Sequence, residues 1–241
     1  MYKVSVLTST FNSASCITQL IESLIAQTSS EFQWIVSDGE SSDATLDIIN
    51  SYTYEFPVII NSREDFGIYD SLNKGLLFVD SEYYLVVGSD DILFSDTIQK
   101  INQLLNSHSS IDIYSMSLIV GKEIIMPRQR PVWFYGMRGI CTSHSVGLLI
   151  KRDLHNTIGF YSNRYPICAD QFFILSAYKQ GYKFMDVQSI ISGKYSIEGT
   201  SGIDIIGTLS ENYRIQIRLF NNLILQTFIY FCRVIKNIKS L

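Results

Sequence analysis

Short apolar runs alternate with segments of helical spacing from the first residues to Val87, and this alternation sets the fold class. Val4–Leu7, Phe32–Val36, Pro57–Asn61 and Tyr83–Val87 read as strands. The gaps hold Ile17–Gln27, Ser41–Tyr52 and Tyr69–Val79. Ile17, Leu20, Ile21, Leu24 and Ile25 recur at helical spacing in the first gap. Ser42 or Asp43 suits the cap of the second helix. Strands separated by helices pair in parallel through βαβ units, so the expected class is α/β.

The order beyond Ile92 is less regular. Ile98–Leu105 reads as a helix, Ile111–Val120 and Glu123–Met126 as strands, and Pro127–Ser143 as a long loop. Val146–Ile150 is a further strand and Asp170–Gln180 a helix. A chain of 241 residues with 46% apolar content can bury a large core. A net charge of −4 argues against a general nucleic-acid binder. Cys16, Cys141, Cys168 and Cys232 form no Cys-x-x-Cys pair and read as reduced thiols of a cytosolic protein. The N-terminus enters a strand at once, without the apolar stretch of a signal peptide.

Acidic residues stand at two strand ends. Gly88-Ser89-Asp90-Asp91 follows Tyr83–Val87, and Asp38 follows Phe32–Val36. Ligands of parallel sheets gather at the carboxyl ends of the strands. Carboxylates there suit Mg²⁺ or Mn²⁺, which take hard oxygen ligands together with substrate phosphates. Ser-Asp-Asp also suits a turn or helix cap, and Asp38-Gly39 an ordinary turn. Glu64-Asp65-Phe66-Gly67-Ile68-Tyr69-Asp70-Ser71-Leu72-Asn73-Lys74-Gly75 is the most distinctive stretch. It places Asp70, Asn73 and Lys74 on one helical face, as in a capped amphipathic helix with an ion pair. Asp170 opens an apolar helix, where a carboxylate serves as a cap or as a general base. His144 precedes a strand.

Together these residues resemble the inverting glycosyltransferases of family 2, of the bacterial polysaccharide and O-antigen type. Val4-Ser5-Val6-Leu7-Thr8-Ser9-Thr10-Phe11-Asn12 looks like the family's opening strand and loop. Val36-Ser37-Asp38-Gly39-Glu40-Ser41-Ser42-Asp43 looks like its uridine-binding segment, and Asp65 to Gly75 is close to its bacterial members. Gly88 to Asp91 takes the place of the Asp-x-Asp motif, and Ala169-Asp170-Gln171 that of the base segment.

The resemblance covers roughly residues 1–200 and implies a GT-A fold, a Rossmann-like, mainly parallel sheet flanked by helices. It implies a nucleotide-binding half over 1–92 and an acceptor-binding half over 93–202. It implies a UDP-sugar donor held by Thr8, Thr10, Asp38, Asp65, Tyr69, Asn73, Lys74 and Asp90. Asp91 would ligate Mn²⁺ or Mg²⁺, and Asp170 would deprotonate the acceptor. His144, Arg128, Arg130 and Trp133 would lie near the diphosphate or acceptor. The motif reads Ser-Asp-Asp, and Ala169 stands where many members have glutamate. No Gln-x-x-Arg-Trp is present, so one sugar per encounter is expected.

Residues 203–241 read as a C-terminal amphipathic helical tail. From Tyr213 to Leu241 the basic residues are Arg214, Arg218, Arg233, Lys236 and Lys239, with no acidic one; the remainder holds 14 basic and 23 acidic. On one helix these basic residues share an arc of roughly 140° with Asn221, Asn222 and Gln226. Leu219, Phe220, Leu223, Ile224, Phe228, Phe231, Val234 and Ile235 oppose them. A membrane-spanning helix needs roughly 20 mainly apolar residues, and the three amides interrupt this one. An interfacial helix on an anionic membrane is expected, or one packed on the body or on a second subunit of a homodimer. The implied acceptor is a lipid-diphosphate-linked sugar at the inner face of a bacterial membrane, with the enzyme peripheral there. A sugar-nucleotidyltransferase, or a non-catalytic scaffold of a polysaccharide assembly complex, is the alternative. The former would carry a glycine-rich loop, and Thr8–Ser15 has no glycine.

Overall fold

The computed structural model describes residues 2–107, 110–142, 144–196 and 204–237. The first half forms the parallel layer that the alternation demands. Strands β3 (Val58–Ser62), β2 (Gln33–Asp38), β1 (Val4–Thr10) and β4 (Tyr83–Val86) lie side by side in that order, all parallel. Helices α1 (Ile17–Ile25), α2 (Thr45–Ser51) and α3 (Ile68–Leu76) connect them. Thr8 to Thr10, expected in a loop, extend β1 because Thr8 pairs with Val36 and Thr10 with Asp38.

The second half adds to the same sheet. β8 (Leu148–Lys151) runs antiparallel to β4, and β6 (Ile113–Val120) antiparallel to β8. β9 (Phe184–Tyr195) runs parallel to β6, and the short β5 (Ile92–Leu93) pairs antiparallel with β9. β7 (Glu123–Ile125) forms a hairpin with β6. The sheet is therefore mixed, with β4–β8 as its seam. The register of β9 on β6 shifts near Met116 and Ser117. Such irregularities break the two-residue alternation by which a strand is recognised in sequence, and β9 carries no such pattern.

Alternate strand residues feed two core layers. Val4, Val6, Trp34 and Val36 pack with α1 and with α4 (Thr97–Ser107) through Leu20, Leu24, Ile98 and Ile101. Leu7, Ile35, Tyr84 and Val86 pack on the opposite face with Leu72 and Leu76 of α3. Phe173 and Ile174 of α7 (Ala169–Lys179) join that second layer. The stretch read as a loop over 127–143 contains a short helix, α5 (Val132–Tyr135), and a 3₁₀ turn at Gly136–Gly139. The short α6 (Leu154–Ile158) follows β8.

The C-terminal segment departs from a single amphipathic rod. Asn221 adopts the left-handed conformation at φ 52° and ends α8 (Ile205–Phe220) before α9 (Leu223–Asn237) begins. Asn tolerates this conformation better than most residues, which makes it a helix stop. α8 packs on α7, and α9 packs on α8. Leu219 and Phe220 face the body, and Gln226, expected on the solvent arc, is buried. Lys239, Ser143 and the 202/203 boundary lie outside the described residues.

Candidate active site

Asp38 is the last residue of β2 and is 1% exposed. Its Oδ1 accepts from the Thr10 hydroxyl at 2.9 Å and the Ser41 hydroxyl at 2.5 Å. Its Oδ2 accepts from Ser41 N at 2.9 Å and the Ser62 hydroxyl at 2.8 Å. Burial pushes its proton affinity up, but these hydrogen bonds outweigh that and hold the carboxyl below its ordinary value. Asp38 thus clamps the ends of β1, β2 and β3. Thr10 serves that clamp. Thr8 is fully buried and accepts from Trp34 Nε1 at 3.0 Å. Its contact with Trp34 turns it into the α1–α4 layer.

The stretch from Asp65 to Lys74 joins this edge to α3. A Cβ on Gly39 would come within 2.6 Å of Asp65 Oδ2 and 3.3 Å of the Phe11 ring. The missing side chain lets Asp65 sit against the turn that follows Asp38. Gly67, at φ 111°, reverses the chain into α3. Asp65 Oδ1 accepts from Gly67 N at 2.9 Å. Lys74 pairs with Asp70 at 2.8 Å and also donates to the Glu64 carbonyl. Asn73 spends both ends of its amide on the Tyr161 backbone, at 2.8 and 2.9 Å. These contacts make Asn73 and Lys74 the fasteners of α3.

Asp91 lies beyond β4 and is 2% exposed. Oδ2 accepts from Gly88 N and Oδ1 from Ser196 N, both at 2.9 Å. Burial chiefly, with the neighbouring Asp90 charge, raises its pKa to about 6, against the two backbone donors. A Cβ on Gly88 would stand 2.9 Å from both Asp90 Oδ1 and Asp91 Oδ2, so the two carboxylates converge over a glycine. Among the described residues, no group of three or more His, Cys, Asp and Glu is arranged to hold an ion. Mg²⁺ and Mn²⁺ use one or two carboxylates and take their other oxygens from phosphate and water. The Asp90–Asp91 pair fits that donor set. Ser196 follows Tyr195, whose ring packs on His144 with centroids 4.0 Å apart. Burial first, then Arg138, lowers the His144 pKa to about 4, so its imidazole is neutral near pH 7.

Asp170 sits in the first turn of α7. Tyr69, from the first turn of α3, donates to Asp170 Oδ1 at 2.7 Å and approaches the Ile167 carbonyl at 3.0 Å. Burial raises the proton affinity of Asp170, against hydrogen bonds from Tyr69 and the helix backbone. A carboxylate so placed is a stronger base than an exposed one. Asp65 thus lies against Gly39, next to Asp38, and Tyr69, in the helix that Gly67 opens, bonds Asp170, while Asp91 follows the carboxyl end of β4.

Arg130 lies over the Tyr135 ring at 5.0 Å, and Trp133 packs edge-on against Phe134. Arg128 is exposed. The C-terminal hairpin holds this segment. Gln226 donates to Trp133 O at 2.6 Å, and Arg233 donates to Phe134 O. Sequence reasoning passed over Ser41, Ser62, Ser196 and Glu211. Glu211, 6% exposed, accepts from Ile167 N at 3.1 Å and Cys168 N at 2.8 Å. One signal existed for it, since it is the only acidic residue from 205 to 241.

The family model for glycosyl transferase family 2 matches residues 5–186, most of the sheet and the whole edge just described. The chain belongs to this family. It is 29% identical over 177 residues to a PGL/p-HBAD biosynthesis glycosyltransferase of Mycobacterium tuberculosis, a match covering 69% of this chain and 66% of that protein. It is 32% identical over 114 residues to the poly(ribitol-phosphate) beta-N-acetylglucosaminyltransferase TarS of Staphylococcus aureus, covering 46% of this chain and 20% of that one. TarS residues 1–349, solved in complex with UDP-GlcNAc, superimpose with a TM-score of 0.72 at 19% identity, covering 97% of this chain and 73% of that one. A mannosyltransferase of Pyrobaculum calidifontis, solved with GDP-Man and Mn²⁺, gives 0.70 at 14% identity over 99% of this chain and 76% of that one. These likenesses establish the GT-A fold.

Proposed function

We propose that this chain is an inverting, non-processive glycosyltransferase that moves a hexose or N-acetylhexosamine from a UDP-sugar to an acceptor hydroxyl. The observation that carries the reading is the Tyr69–Asp170 pair, a half-buried carboxylate with raised proton affinity on the edge that also holds Asp90 and Asp91. Asp170 takes the proton as the acceptor oxygen attacks the anomeric carbon. The bond from that carbon to the diphosphate oxygen breaks, and UDP leaves with the electron pair. Attack opposite the leaving group turns an α donor into a β product. Asp91 and Asp90 would hold the cation, which offsets charge on the departing diphosphate when bound. Tyr69 orients the base. The neutral imidazole of His144 would contact the diphosphate or acceptor beside it. Asp65 and Asp38 shape the nucleoside end.

The acceptor we assign is a lipid-diphosphate-linked sugar of bacterial surface polysaccharide assembly, such as O-antigen. Arg214 and Arg218, over the rings of Tyr165 and Phe172, border a groove of about 520 Å³ beside α7 and suit an anionic acceptor. Ile224, Phe228, Phe231 and Ile235 form an exposed apolar stripe along α9. No helix among the described residues is long and apolar enough to cross a membrane. An apolar stripe beside basic residues suits a peripheral position on an anionic leaflet.

The deciding experiment screens UDP release from several UDP-sugars with a synthetic lipid-diphosphate sugar, with and without Mn²⁺. Turnover that Asp170→Asn abolishes while UDP still binds is the expected result. No release from any pair would favour a non-catalytic scaffold. Serine at all four stripe positions should abolish recovery with anionic vesicles. Loss of self-association instead would assign the stripe to a second copy.

A further inference from the structure

We infer that Glu211 of α8 is a positioning residue for Asp170, which makes the C-terminal hairpin part of the catalytic half rather than a detachable anchor. The inference rests on the reading of Asp170 as the base. α7 begins with Cys168 at its N-cap, whose own side chain makes no capping bond. Glu211 reaches across from α8 and accepts from the amides of Ile167 and Cys168, the turn that delivers Asp170. The carbonyl of Ile167 in that turn faces the Tyr69 hydroxyl, which also donates to Asp170. Glu211, residues 167–168, Tyr69 and Asp170 therefore form one connected unit drawn from α8, α7 and α3.

A buried carboxylate whose partners among the described residues are backbone amides is costly unless it fixes a geometry. Here the fixed geometry is the start of α7. The same hairpin grips the opposite acceptor-side segment, through Gln226 and Arg233 on the carbonyls of Trp133 and Phe134. Removing residues 213–241 would thus unseat α8 from α7 as well as delete the apolar stripe. Truncation at that point cannot separate membrane binding from catalysis.

Glu211 also acts on Asp170 through charge, since its negative charge favours the protonated base. Among the described residues, the other titratable groups facing Asp170 are the Tyr69 hydroxyl from α3, the Tyr161 hydroxyl after α6, and the thiols of Cys141 and Cys168. None of those supplies a second negative charge at neutral pH, so substituting Glu211 isolates the charge effect.

The test compares Glu211→Gln and Glu211→Ala with the wild-type full chain. Carboxyl NMR, with Asp170 assigned by Asp170→Asn, reads its titration midpoint without any need for turnover. Glu211→Gln retains an acceptor for both amides and removes the charge, so the Asp170 midpoint falls. Glu211→Ala removes both, so the amides of Ile167 and Cys168 exchange at least tenfold faster. With an active sugar pair, Glu211→Ala lowers kcat at least tenfold and leaves UDP affinity within twofold. An Asp170 midpoint unmoved in Glu211→Gln, or amides still protected in Glu211→Ala, would overturn the inference. Absence of turnover in the wild type would sink the transferase reading alone, because the NMR measurements still decide the role of Glu211.

Discussion

Removal of one hydroxyl tests the catalytic reading most sharply. In Tyr69→Phe the ring stays, so its packing on Tyr161, with centroids 5.6 Å apart, is kept. The donor that points at Asp170 Oδ1 from 2.7 Å is lost. A hydrogen bond to a charged group contributes about 1.5–3 kcal/mol. At about 1.4 kcal/mol per tenfold in rate, loss of that orientation should lower kcat by roughly 10- to 100-fold. The lost donor favoured the ionised carboxylate, so the acid limb of the kcat profile must move to higher pH. Global stability should fall by a similar amount, about 1.5–3 kcal/mol or roughly 3–12 °C in Tm for a chain of this size, so rates are compared well below the melt of the variant. The assay is UDP release against pH at saturating donor, with thermal melts as the control for folding. A kcat within twofold of wild type and an unmoved acid limb would refute the assignment of Asp170 as the base.

Three further outcomes follow from the same contacts. Asn73→Ala should cost about 2 kcal/mol, because it strands two backbone groups of Tyr161, yet leave UDP affinity unchanged; weaker UDP binding at equal stability would return Asn73 to the nucleotide site. His155 is buried against Phe160 and Phe173 and accepts from Tyr84 at 2.7 Å, and burial first, then Arg152, lowers its pKa to about 4. A depressed histidine contributes stability that is full above pH 6.5 and is lost as pH falls toward 4, here about 3 kcal/mol. Asp91, raised to about 6, acts in the opposite sense over part of that window. The difference between wild type and His155→Gln in urea melts at pH 7 and pH 4.5 isolates the histidine, and identical losses would refute its role. Because protons occupy Asp91 up to about pH 6, any rise in Tm caused by Mn²⁺ should fade as pH falls through that value, and Asp91→Asn should abolish it.

The first ninety residues were legible because parallel strands and their helices carry regular periods. β9 was not, since its shifted register on β6 breaks the alternation. The carboxylates at strand ends could be picked out as Asp38, Asp90 and Asp91, but their differing roles could not. Asp38 is saturated by four hydrogen bonds from three residues, Thr10 and Ser62 on other strands and Ser41 in the following turn, and sequence spacing gives no hint of that. Thr8 and Thr10 look alike in a linear motif. Only burial and the Trp34 contact show that Thr8 belongs to the core.

Sequence by itself determined the α/β class, the family and the identity of the acidic groups at the strand ends, because these depend on local period and residue type. Tertiary structure alone decided what each group does. Tyr69 and Asp170 are 101 positions apart in the chain and meet through one hydrogen bond. Glu211 reaches the start of α7 only because α8 packs there. Proton affinity, base orientation and the role of the C-terminal hairpin arise from such long-range contacts, and no local pattern encodes them.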